Sequence, residues 1–176
     1  MSNTTPVIVA AARTPQGTNG GVFADLRSED LSVAVVDELL DRTGVGSATV
    51  DDLLWGCAQQ TGEQGNNIAR LVALLSELGE SVPAATINRW CASSAAAITR
   101  AADAIAAGQR ECVVAGGVEN MSRAGNLENL SSVHPEIQDR YGIDSLRMGT
   151  TADTVAEEYV VSRESQDEYA LRSHRR

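Results

Sequence analysis

Residues 88–123 read NRWCASSAAAITRAADAIAAGQRECVVAGGVENMSR. From Cys91 to about Ala107 small residues lie on every side of the run, and Arg100 and Asp103 are its only charges. That pattern predicts a helix buried between sheets or other helices. Glu111 to Val118 is apolar, closes on Gly116 and Gly117, and predicts a strand. The segment ahead of the cysteine, Ala84 to Trp90, predicts extended chain. Strand, helix, strand in this order implies a parallel sheet with right-handed crossovers and helices on its faces. Cys91 then stands where a strand becomes a helix. A thiol there meets unpaired backbone N–H groups and the positive end of the helix dipole, a setting that favours a reactive sulfur.

The flanking sequence repeats the alternation. Val7 to Ala12, between Pro6 and Arg13-Thr14-Pro15, predicts a buried strand leading into a glycine-rich loop. Leu31, Val35, Val36, Leu39 and Leu40 recur at helical spacing, with Ser28 or Asp30 as cap and Gly44 as stop. Leu53 to Cys57 predicts a second strand. Asn66 or Asn67 is placed to cap a helix that turns Ile68, Leu71, Val72, Leu75 and Leu78 inward before Gly79. Met121 to Met148 shows no sustained periodicity and predicts an excursion loop. Ala152 to Tyr159 and Arg163 to Arg172 predict two short helices, the second capped by Ser162.

Composition narrows the function. The 176 residues suffice for one domain with a real core, 43% of them are hydrophobic and only 3% aromatic, so Ala, Val, Leu and Ile must build it. Net charge is -10, with 24 acidic residues against 14 basic, and all 14 are arginine. No basic face exists for a phosphate backbone, which argues against nucleic-acid binding. The missing lysine fits a GC-rich genome or a halophilic source equally. No apolar run reaches membrane-spanning length, and MSNTTPVIVAAARTP lacks the basic and long apolar regions of a signal peptide, so the expectation is a cytoplasmic protein without membrane association. Cys57, Cys91 and Cys112 form neither a CxxC nor an even set, which predicts free thiols and no metal site. Cys57 and Cys112 read as small buried hydrophobes within strands.

NRWCASSAAAI and VVAGGVENMSR resemble the nucleophile region of thiolases, the CoA-dependent acyltransferases that form or cleave 3-oxoacyl-CoA. ARTPQGTNGG, GEQGNNIARLVALL, MGTTADTVAEEY and SRESQDEYALRSHRR also resemble thiolase segments, in thiolase order. The resemblance implies an α/β fold, a thiolase-like N-terminal domain over residues 1–120 whose mostly parallel central sheet is covered by helices and carries the nucleophile. It implies the start of a loop domain over residues 121–176, shaping the CoA pocket. It also implies that a C-terminal thiolase domain, which brings a Gly-His-Pro histidine and a second cysteine, is absent from this sequence.

By the same resemblance Cys91 takes the acyl group as a thioester and its backbone N–H is one oxyanion donor. Arg147 and Met148 line the CoA channel. Many family members have His before that Met, and Arg147 instead suits a CoA phosphate. Coenzyme A thioesters are implied as substrates, with no bound cofactor, and the partners are acyl-CoA, CoA and either a second copy of the chain or a complementing C-terminal half. Asn88 and Arg89 are implied to lie at a dimer interface. A non-catalytic half serving only as a structural or interaction partner is the alternative. His134-Pro135, in SSVHPEI, lacks the glycines of Gly-His-Pro and reads as a loop histidine; His174, in RSHRR, reads as solvated. Gly116 and Gly117 read as a point of close approach by a ligand or neighbouring backbone, or as a tight turn.

Overall fold

A computed structural model describes residues 4–124 and 133–176. The chain divides into two compact units, Met1–Leu127 and Glu128–Arg176.

In the first unit, α1 (Ser28–Thr43) turns the predicted apolar face inward, burying Val36 and Leu40. Gly44 ends it in the left-handed region at φ 66°, where its N–H donates to the Leu40 carbonyl at 2.8 Å. Neither Ser28 nor Asp30 caps its start with a side chain. Ser28 is already helical, and its N–H donates instead to the Glu63 carboxylate at 2.7 Å. A distant acid does the work of the local cap.

The sheet is β1 (Asp52–Gly56), β2 (Ala84–Ile87) and β3 (Val113–Gly117), all parallel, with β1 in the middle. Leu53 lies opposite Ala84 and Val114, and Gly56 opposite Ile87 and Gly117. Alternation along β1 sets the layers. Leu53, Trp55 and Cys57 join Val36, Leu40, Ile68 and Val72 in one core, whereas Leu54 packs with Ile87, Ala96 and Ala97 in a second. So α1 and α2 (Ile68–Leu75) cover one face and α3 (Ser93–Ala106) the other. The buried Trp55 indole N–H donates to the Ser32 hydroxyl at 3.1 Å, which satisfies its one polar atom.

Other expectations need correction in this unit. Val7 to Ala12 pairs with no strand among the described residues, and Val7, Ile8 and Val9 are 75–83% exposed. An apolar run is buried as a strand only where a neighbour takes its N–H and C=O groups. In α2, Ile68, Ala69, Val72 and Ala73 face inward while Leu75, at the helix end, is exposed; Leu78 is buried from the turn beyond. Asn67 occupies the capping position but its side chain turns to the open edge of β2, accepting the Thr86 N–H at 2.9 Å and donating to the Ala84 carbonyl at 3.0 Å. It occupies the hydrogen-bonding positions that a neighbouring strand's backbone would take. Finally, α3 buries one face only, through Ser93, Ala96, Ala97 and Ala101.

In the second unit, α4 (Pro135–Tyr141), a 3-10 turn at Ile143–Leu146, α5 (Met148–Glu158) and α6 (Arg163–His174) follow in order. The stretch expected as loop is therefore partly helical over residues 133–148; residues 125–132 lie outside the described residues. Pro135 at the first helical position and the His134 ring, whose Nδ1 accepts the Glu136 N–H at 3.2 Å, start α4. Ser162 caps α6 as its sequence predicts, accepting the Ser165 N–H at 3.3 Å. None of the described residues of this unit is buried.

Candidate active site

The carboxyl ends of the three parallel strands lie side by side, the edge at which open α/β sheets place their ligands. From β2 the chain runs through Asn88, Arg89 and Trp90 to Cys91 and then into α3. The expected strand stops at Ile87, and the helix starts at Ser93, two residues later than the sequence suggests. Trp90 is the reason. It holds φ at 48°, a left-handed conformation that costs a non-glycine residue about 1–3 kcal/mol. Strain of this kind directly ahead of Cys91 is a signal that the amino-acid sequence does not display.

Hydrogen bonds hold this turn from both sides. The Trp90 N–H donates to Asn88 Oδ1 at 2.9 Å, and its carbonyl accepts from the Ser93 hydroxyl at 2.6 Å and the Ser93 N–H at 3.0 Å. The Ser93 hydroxyl oxygen also accepts the Arg89 N–H at 2.9 Å. Asn88 Nδ2 donates to the Ala58 carbonyl, just past β1, at 2.8 Å. Cys91 emerges from the turn with its residue exposed. Among the described residues its backbone N–H, and those of Ser94 and Ala95, donate to no acceptor. They form a set of unpaired N–H donors at a helix start, an arrangement suited to an anion.

The other two thiols differ. Cys57 is buried in the core, where loss of water and then the Glu119 charge push its thiol up to about 12. Cys112, just ahead of β3 and half-buried, is likewise raised by burial and by Asp51. Both thus stay protonated and unreactive near neutral pH.

The glycines at the strand ends bring α3 close. A Cβ on Gly56 would fall 2.5 Å from the Ser93 carbonyl carbon and 2.7 Å from Ser94 Cα, and one on Gly117 would run into the Ser94 hydroxyl and the Gly56 carbonyl. The close approach anticipated at Gly117 is therefore by neighbouring backbone and side chain.

A polar network behind this edge went unread in the sequence. Glu119, following β3, accepts from the Ala58 N–H at 2.9 Å and from Gln64 Nε2 at 2.6 Å. Gln64, fully buried, accepts from the Asn120 N–H at 2.7 Å and the Ser28 hydroxyl at 2.9 Å and donates to the Gln59 carbonyl at 2.8 Å. Asn120 Nδ2 reaches the Phe23 and Leu26 carbonyls at 3.1 and 3.0 Å. Arg123 pairs with Glu63 through two contacts of 2.9 Å. Burial raises the Glu63 carboxyl, but the Ser28 N–H and hydroxyl and the Arg123 guanidinium outweigh it and hold it below its ordinary value. The available signal was the Glu119-Asn120 pair, one residue beyond a Gly-Gly strand end.

Arg147 and Met148 belong to the second unit and Cys91 to the first. Arg147 occupies the capping position of α5, with its Nε 3.6 Å from Asp144, and Met148 opens the helix with 74% of its surface exposed. His134 is spent on capping α4, and His174 is exposed in the last turn of α6. Among the described residues no group of three or more His, Cys, Asp or Glu is placed to hold a metal, and no helix is long and apolar enough to cross a membrane.

Comparison with known proteins agrees with this fold. Residues 6–176 match the family model described as thiolase, N-terminal domain. The chain is 46% identical over 171 residues to a 3-ketoacyl-CoA thiolase of Marinomonas sp. (strain MWYL1), covering 96% of this chain and 44% of that protein. It is likewise 46% identical over 173 residues to the 3-ketoacyl-CoA thiolase of Pseudoalteromonas translucida, covering 97% and 44%. Its fold matches the crystal structure of the Bacillus anthracis acetyl-CoA acetyltransferase with a TM-score of 0.81 at 36% identity, over 98% of this chain and 47% of that one. The chain thus spans less than half the length of these relatives.

Proposed function

The chain belongs to the thiolase family, and on that premise we propose that it takes part in acyl transfer between CoA thioesters, with Cys91 carrying the acyl group. The observation that carries this reading is the placement of Cys91: an exposed thiol on a strained turn at the carboxyl edge of the sheet, directly ahead of a helix. In cleavage of a 3-oxoacyl-CoA, the Cys91 sulfur adds to the 3-oxo carbon and the bond between carbons 2 and 3 breaks. Acetyl-CoA leaves after gaining a proton, and the acyl group remains on sulfur. A CoA thiol then attacks that thioester, and its proton returns to Cys91 as acyl-CoA departs. Condensation to acetoacetyl-CoA uses the same groups in reverse.

The Cys91 N–H and the free N–H groups of α3 supply donors to the developing oxyanion. The first unit places no histidine beside Cys91, and the proton-transfer base and a second cysteine come from a C-terminal thiolase domain, in the same polypeptide or a complementing one. Residues 1–120 serve as the nucleophile-bearing domain and 121–176 as part of the loop domain that receives CoA. There Met148 lines the pantetheine channel, and Arg147, whose exposed pairing to Asp144 contributes little, turns to a CoA phosphate. The protein acts in fatty acid metabolism in the cytoplasm, as a homo-oligomer or with its complementing half. The relatives' printed names, 3-ketoacyl-CoA thiolase and acetyl-CoA acetyltransferase, support the acyl-transfer reading.

The test is acyl trapping. After incubation with acetyl-CoA, whose thioester exchange breaks no carbon–carbon bond, and an acid quench, peptide mass mapping is expected to find an acetyl group on Cys91 and none on Cys91→Ala. Acylation confined to Cys57 or Cys112, or found nowhere, would overturn the assignment.

A further inference from the structure

We infer that Asn88 is a positioning residue for Cys91, locking the turn that presents the sulfur. The inference rests on the nucleophile reading above and adds to it a group that makes no contact with the reacting atoms. Trp90 at φ 48° redirects the chain between β2 and α3, and a tryptophan does not stay in that region unaided. Asn88 supplies the missing constraint. Its Oδ1 accepts the N–H of the residue two positions on, Trp90, and its Nδ2 donates to the Ala58 carbonyl beyond the neighbouring strand. The side chain thus ties the turn to the central strand rather than to its own loop alone.

The tether continues past Ala58. The N–H of that residue donates to the Glu119 carboxylate at 2.9 Å, so the ends of β2, β1 and β3 are joined in sequence through Asn88, Ala58 and Glu119. Ser93 completes the turn from the helix side, accepting from the Arg89 N–H and donating to the Trp90 carbonyl. Ser93 is fixed by burial in α3, whereas Asn88 is exposed and owes its orientation to these two bonds. A polar side chain spending both ends of its amide on backbone, beside the one strained residue before the nucleophile, is placed to define where Cys91 points. Small displacement of a reacting group by such a change costs on the order of 10- to 100-fold in rate.

The experiment follows acylation of Cys91 by acetyl-CoA in the full chain, comparing the parent with Asn88→Ala and Asn88→Ser and checking each by circular dichroism and thermal melting. The saturating acylation rate of Asn88→Ala is expected to fall at least tenfold while the half-saturating thioester concentration and the folded signal hold. Asn88→Ser, whose hydroxyl still accepts the Trp90 N–H, recovers part of that loss. Amide exchange at Trp90 quickens in Asn88→Ala and is slowed again in Asn88→Ser. Equal acylation rates in parent and folded Asn88→Ala would overturn the positioning role and leave the nucleophile reading intact. A parent chain that is not acylated at Cys91 overturns the nucleophile reading, and the positioning role falls with it. If Asn88→Ala does not fold, Asn88→Ser alone decides: a reduced rate with quicker Trp90 exchange and an unchanged half-saturating concentration supports the role, because the bond to Ala58 is lost, and a rate and exchange equal to the parent's reject it.

Discussion

The Cys57 thiol sits in the core between α1, α2 and the sheet, without water and near the Glu119 carboxylate, and is pushed up to about 12 from an ordinary value of 9.0. Cys91, 34 positions on in the same unit, stands on the surface at the end of β2. Chain position alone does not separate them, because both follow a strand directly or nearly so. Burial does. The raised value carries a stability consequence whose sign is fixed. Below pH 9.0 the thiol is neutral folded or unfolded and pH has no effect through it. Between 9.0 and about 12 the unfolded thiol ionises while the folded one does not, so stability falls, with a slope of at most about 1.4 kcal/mol per pH unit. Urea unfolding from pH 8 to 10.5 is expected to show that decline, reduced in Cys57→Ala. An identical decline in both proteins would assign it to other groups.

Among the elements, α3 is set against the sheet by absence of side chains. Gly56 and Gly117 face its first turn, and Ser93 and Ser94 lie where their Cβ atoms would be. Gly56→Ala is expected to cost roughly 1–3 kcal/mol by overpacking against backbone that has nowhere to move. Gly46→Ala is the comparison, because a Cβ there meets nothing within 4 Å and its φ is -76°, within reach of any residue. That change is expected to be neutral or to stabilise by about 0.4–1 kcal/mol through the unfolded chain. Equal effects in urea unfolding would show that α3 shifts freely. The same glycines place the start of α3, and with it Cys91, close above the sheet edge. Packing and chemistry share these positions.

At the scale of the molecule, a polar network joins Ser28, Glu63, Gln64, Glu119, Asn120 and Arg123 and ties the start of α1 to the loops after β1 and β3. Glu63 is held below its ordinary 4.5, and Asp51, which accepts the Glu111 and Cys112 N–H groups, below its 3.8. A depressed carboxylate stabilises the fold above its unfolded value and loses that contribution as pH falls through its folded value. Stability is therefore expected to drop as pH descends from about 4.5, and Glu63→Gln is expected to be less stable at pH 7 yet less sensitive over that range. Parallel pH profiles for the two proteins would remove Glu63 from the account. The net charge of -10 acts at longer range. Val7, Ile8 and Val9 and the apolar side chains of the second unit, among them Met148, Tyr159 and Val160, are exposed and favour association, while the like charge resists it. Salt screens that repulsion within a Debye length of roughly 10 Å at 0.1 M. Light scattering is expected to show association rising with salt; a constant monomer mass would show those side chains to be adequately solvated.

How much of this was legible follows from what local sequence encodes. The spacing of Leu31, Val36 and Leu40, the apolar run at Leu53 and the Gly-Gly end of β3 identified elements, their parallel order and the crossover that carries Cys91, because periodicity and glycine report on nearby chain alone. The motifs around Cys91 pointed to the family for the same reason. Only the tertiary structure decided where hydrogen bonds made at a distance replace local ones. Ser28 was free to cap α1, but Glu63, 35 residues away, took its N–H; Asn67 was free to cap α2, but the open edge of β2 claimed its amide. Trp90 was expected to extend and turned left-handed where Asn88 and Ser93 held it. Val7 to Ala12 has the composition of a strand without a strand among the described residues to pair with. Residue types state which partners a backbone will accept, and the three-dimensional arrangement determines which of them are present.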